Sequence, residues 1–207
     1  MGKRKSSQLW KEMRRKDQYY KLAKREGYRS RASFKLLEVV KRYRFIKTGD
    51  RLIDLGAAPG GWLQAARQVV GETGFVYGFD LEPIEPLPYR NVSANVLDIT
   101  EENAIETIAR ISGENVDVVL SDAAPNISGV WEVDHTRQIF LAKRSLDIAC
   151  HVLREGGNFF VKLFHGPELI QFKQDVQKLF KNVTLIKPSA SRARSSEIYL
   201  LGAGFLG

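Results

Sequence analysis

The stretch Asp54-Leu-Gly-Ala-Ala-Pro-Gly-Gly-Trp62 decides how this chain folds. A short apolar run, Arg51–Leu55, leads into it, and a helical pattern over 62–70 follows it. The stretch is therefore a loop from strand to helix. Gly56, Gly60 and Gly61 allow a tight turn and let the backbone come close to a ligand.

Outward from this loop the same alternation repeats. Apolar runs read as strands at Phe75–Phe79, Val92–Val96, Val116–Leu120 and Asn158–Leu163, with helical patterns over 101–112, 135–153 and 167–180. Two late strands, Val183–Ile186 and Ile198–Leu201, close the chain. Before the loop, Phe34, Leu37, Val40 and Tyr43 fall at helical spacing over 30–44, with Ser30 as N-cap and Gly49 as stop. Strands alternating with helices give an α/β fold, a Rossmann-like, mostly parallel seven-stranded sheet with helices on both faces. About eleven residues separate the last two strands, too few for a helical crossover, so the final strand is expected to run antiparallel.

The glycine loop alone has two readings. A dinucleotide site lacks its G-x-G-x-x-G spacing here, and Pro59 removes a donor where a pyrophosphate needs one. S-adenosylmethionine has no phosphate and needs a different loop. Asp80 follows the second strand, where a carboxylate can accept from ribose hydroxyls, and Asp98 follows the third, within reach of an adenine amino group. Each is alternatively a loop aspartate, and Asp98 before Thr100-Glu-Glu has the form of a helix cap. Together they mark an adenosine-binding edge.

Four ionisable residues far apart in sequence suggest chemistry. Lys35 lies in the basic stretch Arg29-Ser-Arg-Ala-Ser-Phe-Lys35, Asp122 follows the fourth strand, Lys162 interrupts Phe159-Phe-Val-Lys-Leu-Phe164, and Glu197 precedes the last strand. A parallel sheet gathers strand ends into one crevice. Singly, Lys35, Asp122 and Glu197 read as ordinary surface or turn charges, but a lysine inside an apolar run is seldom placed for stability. The group suits the activation of a hydroxyl. A lysine of ordinary pKa, about 10.4, is an ammonium at pH 7, and neutralising it costs roughly 4–5 kcal/mol. Burial and a second lysine lower that cost, and carboxylates raise it. The lysine is therefore either the base or an orienting group.

Composition narrows the class. Residues 1–47 hold 17 of the 32 Lys+Arg and 4 of the 24 Asp+Glu, so a chain of net charge +8 carries its excess in one segment. Such asymmetry marks a polyanion-binding segment. The single cysteine, Cys150, rules out an intrachain disulfide and a cysteine-based metal cluster, and His135, His151 and His165 lack metal-ligand spacing. No apolar run approaches a membrane span of about 20 residues. Met-Gly-Lys-Arg-Lys-Ser-Ser at the start has no apolar region behind it, so a cytoplasmic protein is expected.

These stretches, with Ser121-Asp-Ala-Ala-Pro-Asn-Ile-Ser-Gly129, Phe160-Val-Lys-Leu-Phe164 and Ser191-Arg-Ala-Arg-Ser-Ser-Glu-Ile-Tyr199, resemble the FtsJ/RrmJ family of ribose 2′-O-methyltransferases, in particular its ribosomal RNA large-subunit methyltransferase E group. The resemblance runs from about residue 28 to about residue 200. It implies a catalytic Lys-Asp-Lys-Glu tetrad at Lys35, Asp122, Lys162 and Glu197, with Lys162 as proton acceptor. It implies S-adenosylmethionine as cofactor, contacted by Gly60, Trp62, Asp80, Asp98 and Asp122, and no metal. The implied substrate is a uridine ribose of large-subunit ribosomal RNA, met within the assembled subunit. Residues 1–207 are expected to form one monomeric domain, with 1–47 a basic helical RNA-binding extension and Arg192 and Arg194 clamping phosphates at the site's mouth. The rivals are a transfer RNA methyltransferase of the same family, a nicotinamide oxidoreductase, and a catalytically silent RNA-binding module.

Overall fold

A computed structural model describes residues 18–192 and 195–207. Of the basic extension expected over 1–47, residues 1–17, with Trp10, lie outside the described residues, as does Arg194. Two helices, α1 (Gln18–Arg25) and α2 (Ala32–Tyr43), precede the sheet. Strands and helices then alternate: β1 (Arg51–Leu55), α3 (Gly61–Val70), β2 (Phe75–Asp80), β3 (Val92–Val96), α4 (Ala104–Ser112), β4 (Val116–Ser121), α5 (Trp131–Val152), β5 (Leu153–Phe164), α6 (Leu169–Gln177), β6 (Phe180–Ile186) and β7 (Glu197–Phe205). Among the described residues no helix is long and apolar enough to cross a membrane.

The seven strands lie in the order β3-β2-β1-β4-β5-β7-β6. The first five are parallel, and β7 inserts antiparallel between β5 and β6. The expected final antiparallel strand is therefore present. From β1 the chain crosses outward to β2 and β3, and from β4 it crosses the other way to β5. The switch point falls between β1 and β4, where the carboxyl ends of parallel strands open a crevice.

Alternation along each strand divides the core in two. Leu52, Val76, Val118, Leu120, Phe160, Tyr199 and Leu201 pack under α2 and α3. Ile53, Leu55, Phe79, Val119, Phe159, Val161 and Leu200 pack under α4, α5 and α6. Every one of these is buried, each worth roughly 1.5–3 kcal/mol for a large side chain. Under α2 and α3, Trp62 stacks on Phe160 at 5.7 Å, and Phe160 on Tyr199 at 5.0 Å, adding about 0.5–1.5 kcal/mol per pair.

Element ends differ from the sequence reading for local reasons. Helix α2 stops at Arg44, in left-handed geometry (φ 52°), whose N–H caps Val40 O, ahead of the expected stop at Gly49. Ser30 does not cap α2 with its side chain; instead Ser33 Oγ donates to Ser30 O and Gly61 O, tying α2 to the loop. The helix expected over 101–112 starts at Ala104, because Asp98 Oδ1 accepts from Thr100 N and Oγ1 in a turn. Strand β5 starts at Leu153 rather than Asn158, pairing Leu153 with Val116 before a bulge that includes the glycine pair.

At the switch point Gly56 (φ 78°) brings β1 against β4, where an added Cβ would sit 2.5 Å from Ala123 Cα and N. Gly56→Ala is expected to cost about 2–4 kcal/mol from left-handed strain plus backbone collision. A urea midpoint unchanged from the wild type would contradict that close approach.

Candidate active site

The loop after β1 is built on backbone bonds. Gly56 N and Ala57 N both donate to Phe79 O, at 2.9 and 3.2 Å, which curls the chain over the end of β2. Asp80, the last residue of β2, accepts from Ala58 N at 2.8 Å on one oxygen and from Glu82 N at 2.9 Å on the other. Gly60, at φ 104°, caps α3 and is covered by the Arg29 side chain, whose NH1 would lie 3.1 Å from an added Cβ.

A cavity of about 390 Å³ opens over the ends of β1 to β4. Gly56, Asp80, Asp98 and Ala123 line it, and the exposed side chains of Leu81 and Phe140 form apolar walls. Gly60 and Trp62 do not line it. The Trp62 indole is 3% exposed, stacks in the core, and donates from Nε1 to Ala32 O at 2.8 Å. It therefore braces α3 against α2.

On the other side of the switch point the four distant ionisable residues meet. Lys35 Nζ on α2 lies 2.5 Å from Glu197 Oε1. Lys162 Nζ on β5 lies 3.1 Å from Asp122 Oδ1 and also donates to the Asp122 backbone oxygen. Tyr199 joins the two pairs: its hydroxyl donates to Asp122 Oδ1 at 2.9 Å and accepts from Lys35 Nζ at 3.3 Å. Ser191 Oγ donates to Glu197 Oε1 at 3.1 Å. The Lys162 side chain is only 7% exposed, against 12–19% for the other three. Gln138 on α5 supports the group from behind, donating from Nε2 to Ala123 O and Lys162 O.

Two residues of this site were missed by the sequence reading. Tyr199 looked like a strand residue, yet antiparallel pairing sets it opposite Lys162, and Phe164 opposite Glu197. Its signal was the register of β5 with β7, which a single sequence does not display. Burial, with Asp122 and Glu197 nearby, holds the Tyr199 phenol well above its ordinary pKa, so it stays a donor. Asp54, on β1, is fully buried and neither carboxylate oxygen has a partner among the described residues. Burial first, then the charges of Asp122 and Asp80, pushes its pKa well above the carboxylate range. A buried carboxyl without partners at the base of a glycine loop calls for a cationic or donor group in the crevice.

The basic stretch before the sheet is largely spent on folding. Arg29 NH1 donates to Pro59 O and Glu85 O, and NH2 to Pro86 O, so this residue clamps the loop. Arg31 donates to Ala190 O, and burial with nearby Arg192 lowers its pKa. Exposed cations remain at Lys21, Lys24 and Arg25 on α1, Lys41 and Arg42 on α2, and Arg192 beside the tetrad.

Comparison with known proteins agrees with this geometry. A model of the FtsJ-like methyltransferase family matches residues 28–205. The chain belongs to the FtsJ-like methyltransferase family. It is 48% identical over all 207 residues to a ribosomal RNA large subunit methyltransferase E from Methanococcus aeolicus, covering 76% of that protein. It is 45% identical over its full length to the protein of the same name from Methanothermobacter thermautotrophicus, covering 96% of it. A solved structure described as a ribosomal RNA methyltransferase, from Plasmodium falciparum, superposes with TM-score 0.77 at 28% identity, over 87% of this chain and all of that one. A fibrillarin pre-rRNA processing protein of Methanococcus jannaschii, at 17% identity and TM-score 0.60, shares the fold over 85% of this chain and 77% of its own.

Asp54 gives the site a pH signature. Its raised pKa favours folding fully below the ordinary carboxylate value, about 4, and that contribution is lost as pH rises through the folded value. In the cofactor-free protein, the melting temperature of the wild type relative to Asp54→Asn is expected to fall from pH 4 to pH 8. A difference independent of pH across that range would contradict the burial of an unpartnered carboxyl.

Proposed function

We propose that the chain moves a methyl group from S-adenosylmethionine to the 2′-hydroxyl of a uridine ribose in large-subunit ribosomal RNA. The names of the methyltransferase E relatives support the substrate. The observation that carries the reaction is the joined tetrad, with Lys162 buried at the crevice beside the cavity.

The crevice fits the cofactor on its own terms. Leu81 and Phe140 give the cavity apolar walls for a flat base, and Asp80 and Asp98 offer carboxylates to ribose hydroxyls and an amino group. The unpartnered Asp54 suits a cation nearby. S-adenosylmethionine supplies a methyl already activated on a sulfonium, so the protein need only place a hydroxyl and receive its proton.

Lys162 is the proton acceptor in this reading. A neutral amine has two N–H bonds and one lone pair. Its N–H bond to the Asp122 backbone oxygen, with the Asp122 carboxylate 3.1 Å away, orients the amine so that the lone pair can take the hydroxyl proton. As the proton arrives, charge develops on the amine, and the Asp122 carboxylate beside it stabilises that charge. Tyr199 holds Asp122 in place, and Glu197 holds Lys35 beside the Tyr199 hydroxyl, from where its ammonium can face the acceptor oxygen. The four act as one coupled group. Exposed cations on α1 and α2, and Arg192, give salt-sensitive phosphate contacts. The enzyme works in the cytoplasm as a monomer, on a nucleotide splayed out of any helix.

Labelled S-adenosylmethionine incubated with large ribosomal subunits is expected to place label on 2′-O-methyluridine after nucleoside digestion. Lys162→Ala should lower the rate about 10²–10⁴-fold while cofactor affinity stays as in the wild type. Label on a base or a protein side chain, label in transfer RNA alone, or an undiminished Lys162→Ala rate would overturn the reading.

Tyr199→Phe removes only a hydroxyl. A hydrogen bond to a charged group is worth about 1.5–3 kcal/mol, so turnover should fall roughly ten- to hundredfold with cofactor binding kept. Wild-type turnover in this variant would show that Asp122 needs no support from β7.

A further inference from the structure

Trp131 is the first residue of α5 and is 43% exposed, on the loop that leaves β4. Ile127 (65%), Val130 (52%) and Val133 (38%) are exposed around it. The core does not account for this placement, and the proton-transfer group does not use it.

The Trp131 ring is nevertheless firmly seated. It stacks on the His135 ring at 5.6 Å and 19°, and on Phe164 at 6.3 Å and 27°. His135 is 3% exposed and wedged against Gly166, where an added Cβ would lie 2.3 Å from its Cε1. The loop before Trp131 is pinned by Asp134, whose carboxylate accepts from Ser128 N at 2.8 Å, Ser128 Oγ at 2.8 Å and Gly129 N at 3.1 Å. An exposed indole held this way is a preorganised aromatic surface rather than a loose side chain.

Its position names the occupant. Phe164, the residue it stacks on, lies two places beyond Lys162 on β5 and pairs in register with Glu197. The indole therefore stands against the end of the strand that carries Lys162. A ribose whose hydroxyl faces Lys162 carries its base on a glycosidic bond, and a base swung out of a helix needs a flat apolar partner.

We propose that Trp131, backed by His135 and Phe164, is the stacking platform for the base of the acceptor nucleotide. This rests on the ribose methyl-transfer reading above. The platform selects for an unstacked, single-stranded nucleotide and fixes the ribose before the proton leaves.

Two measurements test it. Titrating the full chain with single-stranded oligouridylate should quench indole emission, and Trp131→Phe should abolish that quenching while Trp10 and Trp62 remain. In methyl transfer to RNA, Trp131→Ala should lower kcat/KM roughly tenfold or more with cofactor affinity unchanged, and Trp131→Phe should restore most of the loss. Emission indifferent to oligouridylate, or a Trp131→Ala kcat/KM within twofold of wild type, would overturn the platform. If the wild type quenches with oligouridylate but methylates no RNA, the platform stands and the reaction reading fails. If it methylates RNA while both Trp131 readouts stay flat, the reaction stands and the platform fails.

Discussion

The register between β5 and β7 is the constraint on which the site depends. Seven residue pairs, from Asn158 with Ala203 to Phe164 with Glu197, fix these antiparallel strands side by side. Side chains alternate along a strand, so a slip of one residue would turn Tyr199 and Glu197 to the opposite face. Lys162 would then lose the tyrosine that holds its carboxylate partner, and Lys35 would lose its counter-ion. The register is secured by burial on both faces. Phe160 and Tyr199 lock one side beneath Trp62, and Phe159 and Leu200 lock the other beneath α5 and α6. Packing of ordinary apolar residues thus positions the charged ones, which do not assemble by mutual attraction alone.

Much of this was legible in the sequence because the period of each segment and the glycine loop point the same way. Strand existence and the final antiparallel strand follow from spacing, as does the expectation that distant strand ends converge, whereas the strand order does not. What was not legible depends on pairing across the sheet. Tyr199 gains its role only from the residue opposite it, and Asp54 only from the absence of any partner around it. Trp62 keeps its backbone next to the glycines while its ring packs inward, onto Phe160 and with its N–H on the Ala32 carbonyl. Arg29 and Arg31 read in sequence as part of the basic segment, whereas the carbonyls they bind belong to loops remote in sequence.

The switch point separates two electrostatic problems. Toward β4, β5 and β7, each lysine has a carboxylate, and the group closes on itself through Tyr199. Toward β1, β2 and β3 acids outnumber cations among the described residues: Asp54 is buried and unpartnered, and Asp80, Glu82 and Asp98 line the cavity with Arg137. A site with surplus acid on one side is prepared for a positively charged ligand, and in the proposed reaction that ligand brings a sulfonium and an amine. Its arrival would relieve the repulsion among Asp54, Asp80 and Asp122 that raises the Asp54 pKa in its absence.

That arrangement bears on the order of events. Asp122 belongs to both halves: its charge raises the pKa of Asp54 across the switch point, and its side chain holds Lys162. In the proposed reaction a cation seated near Asp54 would favour its ionised form, and the Asp122 carboxylate would stabilise charge arriving on Lys162. In that reaction cofactor occupancy and acceptance of the hydroxyl proton would be coupled through a single carboxylate just after β4. With the Gly56 backbone pressed against Ala123, no side chain separates the halves there. The close approach that makes glycine necessary at residue 56 is the same one that lets an event on β1 alter the charge balance on β4.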